Sequence, residues 1–212
     1  MKQIFTFLTA SFVLVLTLAG CASSKVQGHS VYCNIELNKV KLNGIEVATD
    51  IHDMFFSDEN IAVSFTRELS SISLELLNKT PQALTMVWDK CAFVNANGEV
   101  DGVIHEGVKL VDKGAPLKNT NIPSQSYLND FAMPQSAPYM SNVYVGWQYK
   151  YIYMWTYPSK ESAEEAKKRL DNQPTRLILY LSQNNEILEY DFEFLLKSPI
   201  YGNDLKVSNV GK

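Results

Sequence analysis

Hydrophobic and polar residues alternate along most of the chain from Val31 onward, which is the pattern that half-buried β-strands require. Two clear runs lie at residues 61–66 and 72–77, where Ile, Val, Leu and Phe take alternate positions. Asn43 and Gly44 separate two further alternating segments. Because Asn-Gly accepts the positive φ angles of a tight type I′ turn, this stretch predicts a β-hairpin.

Further alternating stretches predict more strands, at residues 84–94, 100–105, 127–131, 177–181 and 188–194. Between them, residues 112–126 contain Gly114, Pro116 and Pro123 and are predicted to form the longest loop. After residue 197 the pattern ends, and we expect a loose C-terminal tail over residues 198–212.

One helix is predicted, over residues 160–171. Ser162 to Glu165 matches a capping box, and the apolar stripe consists only of Ala163, Ala166 and Leu170. So narrow a stripe predicts a surface helix held by few contacts.

Eight or nine short strands at spacings near ten residues, with one helix, favour a particular fold class. We expect a mainly β protein, an antiparallel immunoglobulin-like β-sandwich with one short accessory helix. The sandwich is preferred to a barrel, and residues 31–197 are predicted to form its single domain.

The N-terminal segment has the features of an export signal. Lys2 is followed by fifteen uncharged, mainly apolar residues, Ile4 to Leu18, which is shorter than the roughly 20 residues of a membrane-spanning helix. The tetrad Leu18-Ala19-Gly20-Cys21 resembles the lipobox of bacterial lipoproteins. The resemblance implies removal of residues 1–20 and lipidation of Cys21, with residues 21–30 as a tether.

The stretch from Asn60 to Pro134 resembles, in its general texture, uncharacterised bacterial lipoproteins that have an immunoglobulin-like domain. The resemblance implies architecture and location and carries no site residues with it. We therefore expect a lipid-anchored protein of the bacterial cell envelope, on the outer membrane facing the periplasm if the host is Gram-negative.

Composition excludes several classes of function. With 46% hydrophobic residues the chain is not disordered as a whole, and a net charge of −4 offers no basic surface for nucleic acid. Three Cys and three His are too few for a zinc module. The acidic group Asp50, His52, Asp53, Asp58 and Glu59 matches no known metal-binding loop, and we expect a solvated turn there rather than a metal site.

Motifs for catalysis are missing from the chain: there is no Gly-x-Ser-x-Gly, no Cys-x-x-Cys and no His-Glu-x-x-His. We therefore predict a protein that is not an enzyme and uses no cofactor. A remote alternative is a hydrolase with two carboxylates on different strands, because such pairs leave no local motif.

Cys33 and Cys91 are the thiols that remain once Cys21 is lipidated. In an oxidising compartment such a pair is able to form a disulfide, which would close a long loop. The alternative is two buried free thiols.

The most unusual feature is aromatic: six residues occupy every odd position from 147 to 157, namely Trp147, Tyr149, Tyr151, Tyr153, Trp155 and Tyr157. In a single strand all six rings would project from one face, over roughly 33 Å. The simplest interpretation is sheet core with a rim of tyrosines, and the alternative is a binding face.

As a binding face, the aromatic run suits either an envelope protein partner or a glycan such as peptidoglycan. A protein is preferred because Gln148 and Lys150 are the only polar candidates nearby in sequence for contacts with a sugar. The sequence thus predicts a non-catalytic binding or accessory module of an envelope protein assembly, with glycan binding as the alternative.

Overall fold

The computed structural model describes residues 28–49, 51, 53–142, 144–184 and 186–201. The predicted signal segment, Cys21 and most of the predicted tether lie outside these residues, as do Asp50 and His52.

The described part of the chain consists mainly of β-strands, with one α-helix and two short 3₁₀ helices at Trp88–Lys90 and Leu110–Asp112. The first eight strands are β1 (His29–Leu42), β2 (Ile45–Thr49), β3 (Phe55–Ser57), β4 (Ile61–Arg67), β5 (Ile72–Asn78), β6 (Leu84–Met86), β7 (Ala92–Val94) and β8 (Val100–Ile104). The remaining elements are β9 (Thr120–Ile122), β10 (Tyr127–Pro134), β11 (Pro138–Asn142), β12 (Gly146–Tyr149), β13 (Met154–Tyr157), α1 (Lys160–Leu170), β14 (Pro174–Gln183) and β15 (Glu186–Tyr201).

All pairings between these strands are antiparallel. Ten strands follow one another in the order β13-β1-β15-β14-β7-β8-β10-β5-β4-β3, with β2 beside β1, β6 beside β14, and β9 beside β6. Strands β11 and β12 form a separate two-stranded hairpin. The mainly β, antiparallel class predicted from the sequence is confirmed.

The sheet curls so that its two ends face each other across one core. Phe65 of β4 packs against Phe192 and Phe194 of β15, with ring centroids 4.8 and 5.2 Å apart. The two halves are joined by the short pairing of β8 with β10. The alternation predicted at residues 61–66 thus buries Ile61, Val63 and Phe65 against the opposite half.

Several predicted elements are confirmed where local signals are strong. Asn43 and Gly44 have φ angles of 51° and 79° and connect β1 to β2, as the Asn-Gly turn requires. The strands predicted at residues 177–181 and 188–194 lie in β14 and β15, which pair as an antiparallel hairpin. In α1 the residues predicted to face the core, Ala163, Ala166 and Leu170, are buried.

The helix begins at Lys160 as predicted, but its capping box differs from the predicted one. Ser159 is the N-cap: its Oγ accepts a hydrogen bond from Ser162 N at 3.2 Å, and Ser162 Oγ accepts one from Ser159 N at 3.3 Å. The capping box therefore pairs Ser159 with Ser162 rather than Ser162 with Glu165. Within the described residues, no helix is long and apolar enough to cross a membrane.

The strand predicted at residues 84–94 is interrupted. Strands β6 and β7 both pair with β14, but Met86 lies opposite Leu181 and Ala92 lies opposite Ile178. The chain has more residues between these two points than β14 has, and the 3₁₀ helix Trp88–Lys90 takes up the excess. Trp88 turns into the core there.

Two predicted boundaries also shift. Strand β15 continues to Tyr201, past the predicted end of the domain at residue 197, because Tyr201 and Ile200 pair with Val31 and Tyr32 of β1. Strand β1 begins at His29, inside the predicted tether. The predicted loop over residues 112–126 contains β9, which pairs with β6.

Of the two possibilities for Cys33 and Cys91, the structure has the second: both cysteines are free and buried. Cys33 lies on β1, whereas the Cys91 thiol accepts a hydrogen bond from Tyr180 N of β14. Strand β15 separates β1 from β14 in the sheet. Two strand spacings are about 10 Å, too far for a disulfide, whose Cα atoms lie within about 7 Å of each other.

Both thiols are expected to resist alkylation in the folded protein. Burial raises the pKa of Cys33 and of Cys91 from 9.0 to about 12, which lowers the thiolate fraction at neutral pH by about a thousandfold. We expect iodoacetamide at pH 8, without reductant, to leave both residues unmodified in the native state and to modify both in denaturant. Peptide mass mapping reads the result, and resistance to alkylation in denaturant would show a disulfide.

Candidate functional site

The aromatic run does not form one strand. It is divided into β12, a crossing segment of residues 150–153, and β13. Three backbone hydrogen bonds hold the crossing segment to three different elements: Lys150 N donates to Ala137 O, Ile152 N to Leu69 O, and Cys33 N to Tyr153 O. The six rings therefore do not share the one face that a single strand would give them, and the alternative of one binding face over residues 147–157 does not hold.

The structure divides the six predicted site residues among three environments. Trp147 and Tyr149 lie on the β11–β12 hairpin, and Tyr151 and Trp155 line a common cleft. Tyr153 is 1% exposed and belongs to the core, and Tyr157 packs against that core. The core interpretation therefore holds for Tyr153, and Trp155 and Tyr157 pack against the core while half-buried. Trp147 is half-buried, and Tyr149 and Tyr151 are exposed.

The buried Tyr153 hydroxyl lies next to another unpaired group, the Thr175 hydroxyl, and neither makes a hydrogen bond within the described residues. Burial raises the pKa of Tyr153 well above its ordinary value, and the nearby Thr175 hydroxyl offsets only part of this effect. The phenol stays neutral at any physiological pH. Tyr153 thus contributes packing to the core and is not available to a ligand.

The β11–β12 hairpin projects from the sheet with apolar side chains in solvent. Met140 lies opposite Trp147 and Pro138 opposite Tyr149, so these four residues share one face. The exposed large side chains of the hairpin and its turn are Tyr139, Met140, Tyr144, Val145 and Tyr149, which together with Trp147 we name the hairpin patch.

The turn of the hairpin presents Tyr144 outward. Asn142 Oδ1 accepts hydrogen bonds from the backbone N of Tyr144 and of Val145, both at 2.9 Å. Gly146 then takes a φ of 78°, which a residue with a side chain rarely adopts. As a result, Tyr144 is 96% exposed at the tip of a defined turn.

Beside the hairpin lies a cleft of about 450 Å³, which we name the aromatic cleft. Tyr151 and Trp155 form one wall, and the turn between β7 and β8 with the start of β8 forms the other. The second wall carries Asn97, Glu99 and Asp101. The structure thus places polar side chains from a distant part of the sequence next to two rings of the aromatic run.

The carboxylates of the aromatic cleft are held in place by one oxygen each. Asn95 Nδ2 donates to Glu99 Oε2 at 2.6 Å, and Ser136 N donates to Asp101 Oδ2 at 2.9 Å. Neither Glu99 Oε1 nor Asp101 Oδ1 makes a hydrogen bond to another described residue. Each carboxylate therefore keeps an acceptor for a ligand.

A histidine that the sequence analysis did not select has a well-defined environment. His105 Nδ1 lies 3.2 Å from Asp130 Oδ2, and the imidazole stacks on Trp88 with ring centroids 4.2 Å apart. Asp130 Oδ1 accepts hydrogen bonds from the backbone N of Glu106 and of Phe131. The His–Asp pair thus links the end of β8 to β10.

Only tertiary pairing brings His105 and Asp130 together, because 25 residues separate them. No local spacing in the sequence signals such a contact.

Asp58, from the predicted acidic turn, stabilises a turn of the backbone through its hydrogen bonds. Asp58 Oδ1 accepts from the backbone N of Asn60 and of Ile61, both at 2.8 Å, and Asp58 Oδ2 accepts from the Tyr190 hydroxyl at 2.7 Å. Burial and this carboxylate raise the pKa of Tyr190. Across the described ranges, no three His, Cys, Asp or Glu side chains are grouped to hold a metal ion.

Comparison of the chain with protein-family models, with curated proteins and with solved structures found no match.

Proposed function

We propose that the protein is a lipid-anchored, non-catalytic binding module of a bacterial cell envelope, and that an envelope protein docks on the hairpin patch. The membrane part of the proposal rests on the likeness of Leu18-Ala19-Gly20-Cys21 to a lipobox. In a Gram-negative host the module would face the periplasm from the outer membrane. The observation that carries the binding part is the exposure of the hairpin patch.

An isolated two-stranded hairpin is only marginally stable in water, and β11–β12 pairs with no other strand in the described structure. Its apolar residues nevertheless face solvent. These residues occupy both faces of the hairpin, since Tyr139 lies opposite Gln148 whereas Met140 lies opposite Trp147. Exposed apolar side chains grouped on one element mark protein interaction sites. A partner that covers the hairpin patch would supply the packing that the rest of this chain does not.

The composition of the hairpin fits a protein interface. Residues 138–149 contain three Tyr, one Trp and one Met, and no charged residue. The cores of protein interfaces are enriched in aromatic residues and Met and depleted of charge. Tyr and Trp also give large contact areas at little cost in conformational entropy.

The base of the hairpin is fixed, which favours binding. Lys150 N donates to Ala137 O at 2.8 Å, and Lys113 Nζ donates to the backbone oxygens of Gln135 and Pro138. A partner therefore meets a preformed hairpin and loses less entropy on docking.

We also propose that the curled sheet is an elaborated immunoglobulin-like sandwich. What supports this is the face-to-face packing of β4 on β15 through Phe65, Phe192 and Phe194, together with the antiparallel pairing throughout.

The docking proposal predicts site-specific crosslinking. A photo-crosslinking amino acid at position 144 is expected to give one discrete adduct in the intact cells that make the protein. The matched control is position 111, because Val111 is 73% exposed and lies outside the hairpin. Replacing Tyr139 and Tyr149 with Ser should remove the adduct from position 144, since both side chains belong to the hairpin patch.

Adducts of equal yield from positions 144 and 111 would contradict the docking proposal, because random collisions do not distinguish the two sites. An adduct of twice the chain's mass would instead identify a second copy of this protein as the partner. Mass spectrometry of the adduct separates these outcomes.

A further inference from the structure

We propose that the aromatic cleft is a binding site for a neutral saccharide, separate from the hairpin patch. The inference goes beyond the docking of a protein partner and does not depend on it. Its basis is the combination, in one cavity, of two aromatic side chains with unpaired donors and acceptors from another part of the chain.

The aromatic wall suits the apolar face of a sugar ring. Trp155 packs against the hydrophobic core, and Tyr151 is 43% exposed while its neighbour Ile152 is fixed by the hydrogen bond to Leu69 O. The Trp155 ring is therefore anchored by the core and the backbone next to Tyr151 is fixed, and both residues line the cavity. The negative face of an aromatic ring attracts the weakly positive C–H groups of a sugar.

The opposite wall suits the hydroxyl groups at the edge of the sugar. Glu99 and Asp101 each keep a carboxylate oxygen that accepts hydrogen bonds, while the Asn97 amide and the Lys150 ammonium donate them. Within the described residues, neither the Asn97 side chain nor Lys150 Nζ makes a hydrogen bond or an ion pair. Such a mixed set recognises hydroxyl groups, which are donors and acceptors at once.

The size and charge of the cavity narrow the ligand class. A volume of about 450 Å³ falls in the range of small-molecule sites, roughly 300 to 1,000 Å³. Two carboxylates against one ammonium disfavour an anionic ligand, because the negative charges would repel it. A purely apolar ligand would leave these polar groups without hydrogen bonds. A neutral saccharide of one or two rings fits the volume, is not repelled by the carboxylates and forms hydrogen bonds with the polar groups.

The sequence alone argued against this site, because it offered only Gln148 and Lys150 as polar candidates near the aromatic run. The structure adds Asn97, Glu99 and Asp101 from about 50 residues earlier in the chain. The aromatic cleft thereby gains the polar wall that a saccharide requires.

Calorimetric titration of the full chain in detergent micelles tests the inference, with cellobiose, maltose and the β-1,4-linked disaccharide of N-acetylglucosamine as probes. We expect at least one probe to bind with a Kd of about 1 mM or tighter. Tyr151→Ala should weaken that binding about tenfold, because the stacking surface is lost, whereas Tyr151→Phe should keep it within about twofold.

Tyr127→Ala is the matched control, since Tyr127 is 61% exposed on β10 and does not line the aromatic cleft. Its binding of the saccharide should equal that of the unchanged protein. Circular dichroism of each variant establishes that it is folded, and Tyr151 suits the test because its exposed ring makes no hydrogen bond in the described structure.

The inference fails if none of the three disaccharides binds at concentrations up to about 10 mM. It fails equally if Tyr151→Ala binds the probe as well as Tyr127→Ala does. Neither result bears on docking at the hairpin patch, since the crosslink from position 144 is measured without added saccharide. Failure of the crosslinking experiment likewise leaves the saccharide titration unaffected.

Discussion

Replacing Asn78 with alanine is expected to lower the free energy of unfolding by about 3 to 5 kcal/mol, among the largest effects of a single polar substitution in this chain. Asn78 is the last residue of β5 and is completely buried. Its side chain connects the strand to two other segments of the chain, so its removal disturbs all three.

The amide nitrogen of Asn78 donates to three backbone oxygens, those of Gln82, Ile122 and Pro123, at 2.7, 3.0 and 3.1 Å. Asn78 Oδ1 accepts hydrogen bonds from both the backbone N and the hydroxyl of Thr80. Alanine would leave these groups without their partner. Each buried polar group that loses its hydrogen bond costs about 1 to 3 kcal/mol, and partial relaxation keeps the total below the sum.

Asn78→Asp separates the role of the side chain as a hydrogen-bond donor from its role as an acceptor. The new carboxylate retains the acceptor for Thr80 but has no N–H to donate, so it faces the carbonyl oxygens of Gln82, Ile122 and Pro123 with negative charge. We expect it to destabilise the protein at least as much as Asn78→Ala at neutral pH. Burial would raise the pKa of the introduced carboxyl, so part of the stability should return as the pH falls.

Urea unfolding followed by circular dichroism measures these changes. Asn121→Ala serves as the control, because Asn121 is exposed on the neighbouring strand β9 and is expected to change the stability by less than about 0.5 kcal/mol. If Asn78→Ala fell within the same limit, the hydrogen bonds of Asn78 would contribute nothing net to the fold.

The parts of the fold that could be predicted are those in which neighbouring residues determine the structure. Asn43-Gly44 has a turn geometry of its own, and the period of two at residues 61–66 and 72–77 is decided by which face meets the core. Antiparallel hairpins need no information from distant segments. The strands β14 and β15 were also predicted correctly, because a short polar stretch separates two alternating segments that pair with each other.

Other features depend on pairings between distant segments. The 3₁₀ helix at Trp88 exists because β6 and β7 share β14 as a partner, which no pattern within residues 84–94 indicates. Alternation of aromatic residues over 147–157 has the period of a strand, yet hydrogen bonds to Leu69, Ala137 and Cys33 redirect the chain between β12 and β13. The period of hydrophobic residues within one segment does not indicate which distant segments form hydrogen bonds with it.

The candidate site was predicted only in part, for the same physical reason. Aromatic composition identified Trp147, Tyr149, Tyr151 and Trp155 as unusual, and all four lie on the hairpin patch or in the aromatic cleft. The polar wall with Glu99 and Asp101 was missed because its neighbours in space come from another part of the sequence.

Cys21→Ser is expected to abolish both labelling of the protein by radioactive palmitate and its sedimentation with membranes. The substitution removes the sulfur atom that the lipobox resemblance of residues 18–21 marks for acylation. Each buried methylene group contributes about 0.8 kcal/mol, so several acyl chains hold a protein firmly, whereas loss of all of them leaves nothing comparable.

Cys33→Ala is the control: it removes a buried thiol on β1 and should leave palmitate labelling and membrane sedimentation unchanged, which assigns the label to Cys21. Persistent labelling and sedimentation of the Cys21→Ser protein would overturn the proposed anchor. Because the hairpin patch and the aromatic cleft are built from residues 93–155, both binding proposals would then need to be tested for a protein that is not held at a membrane.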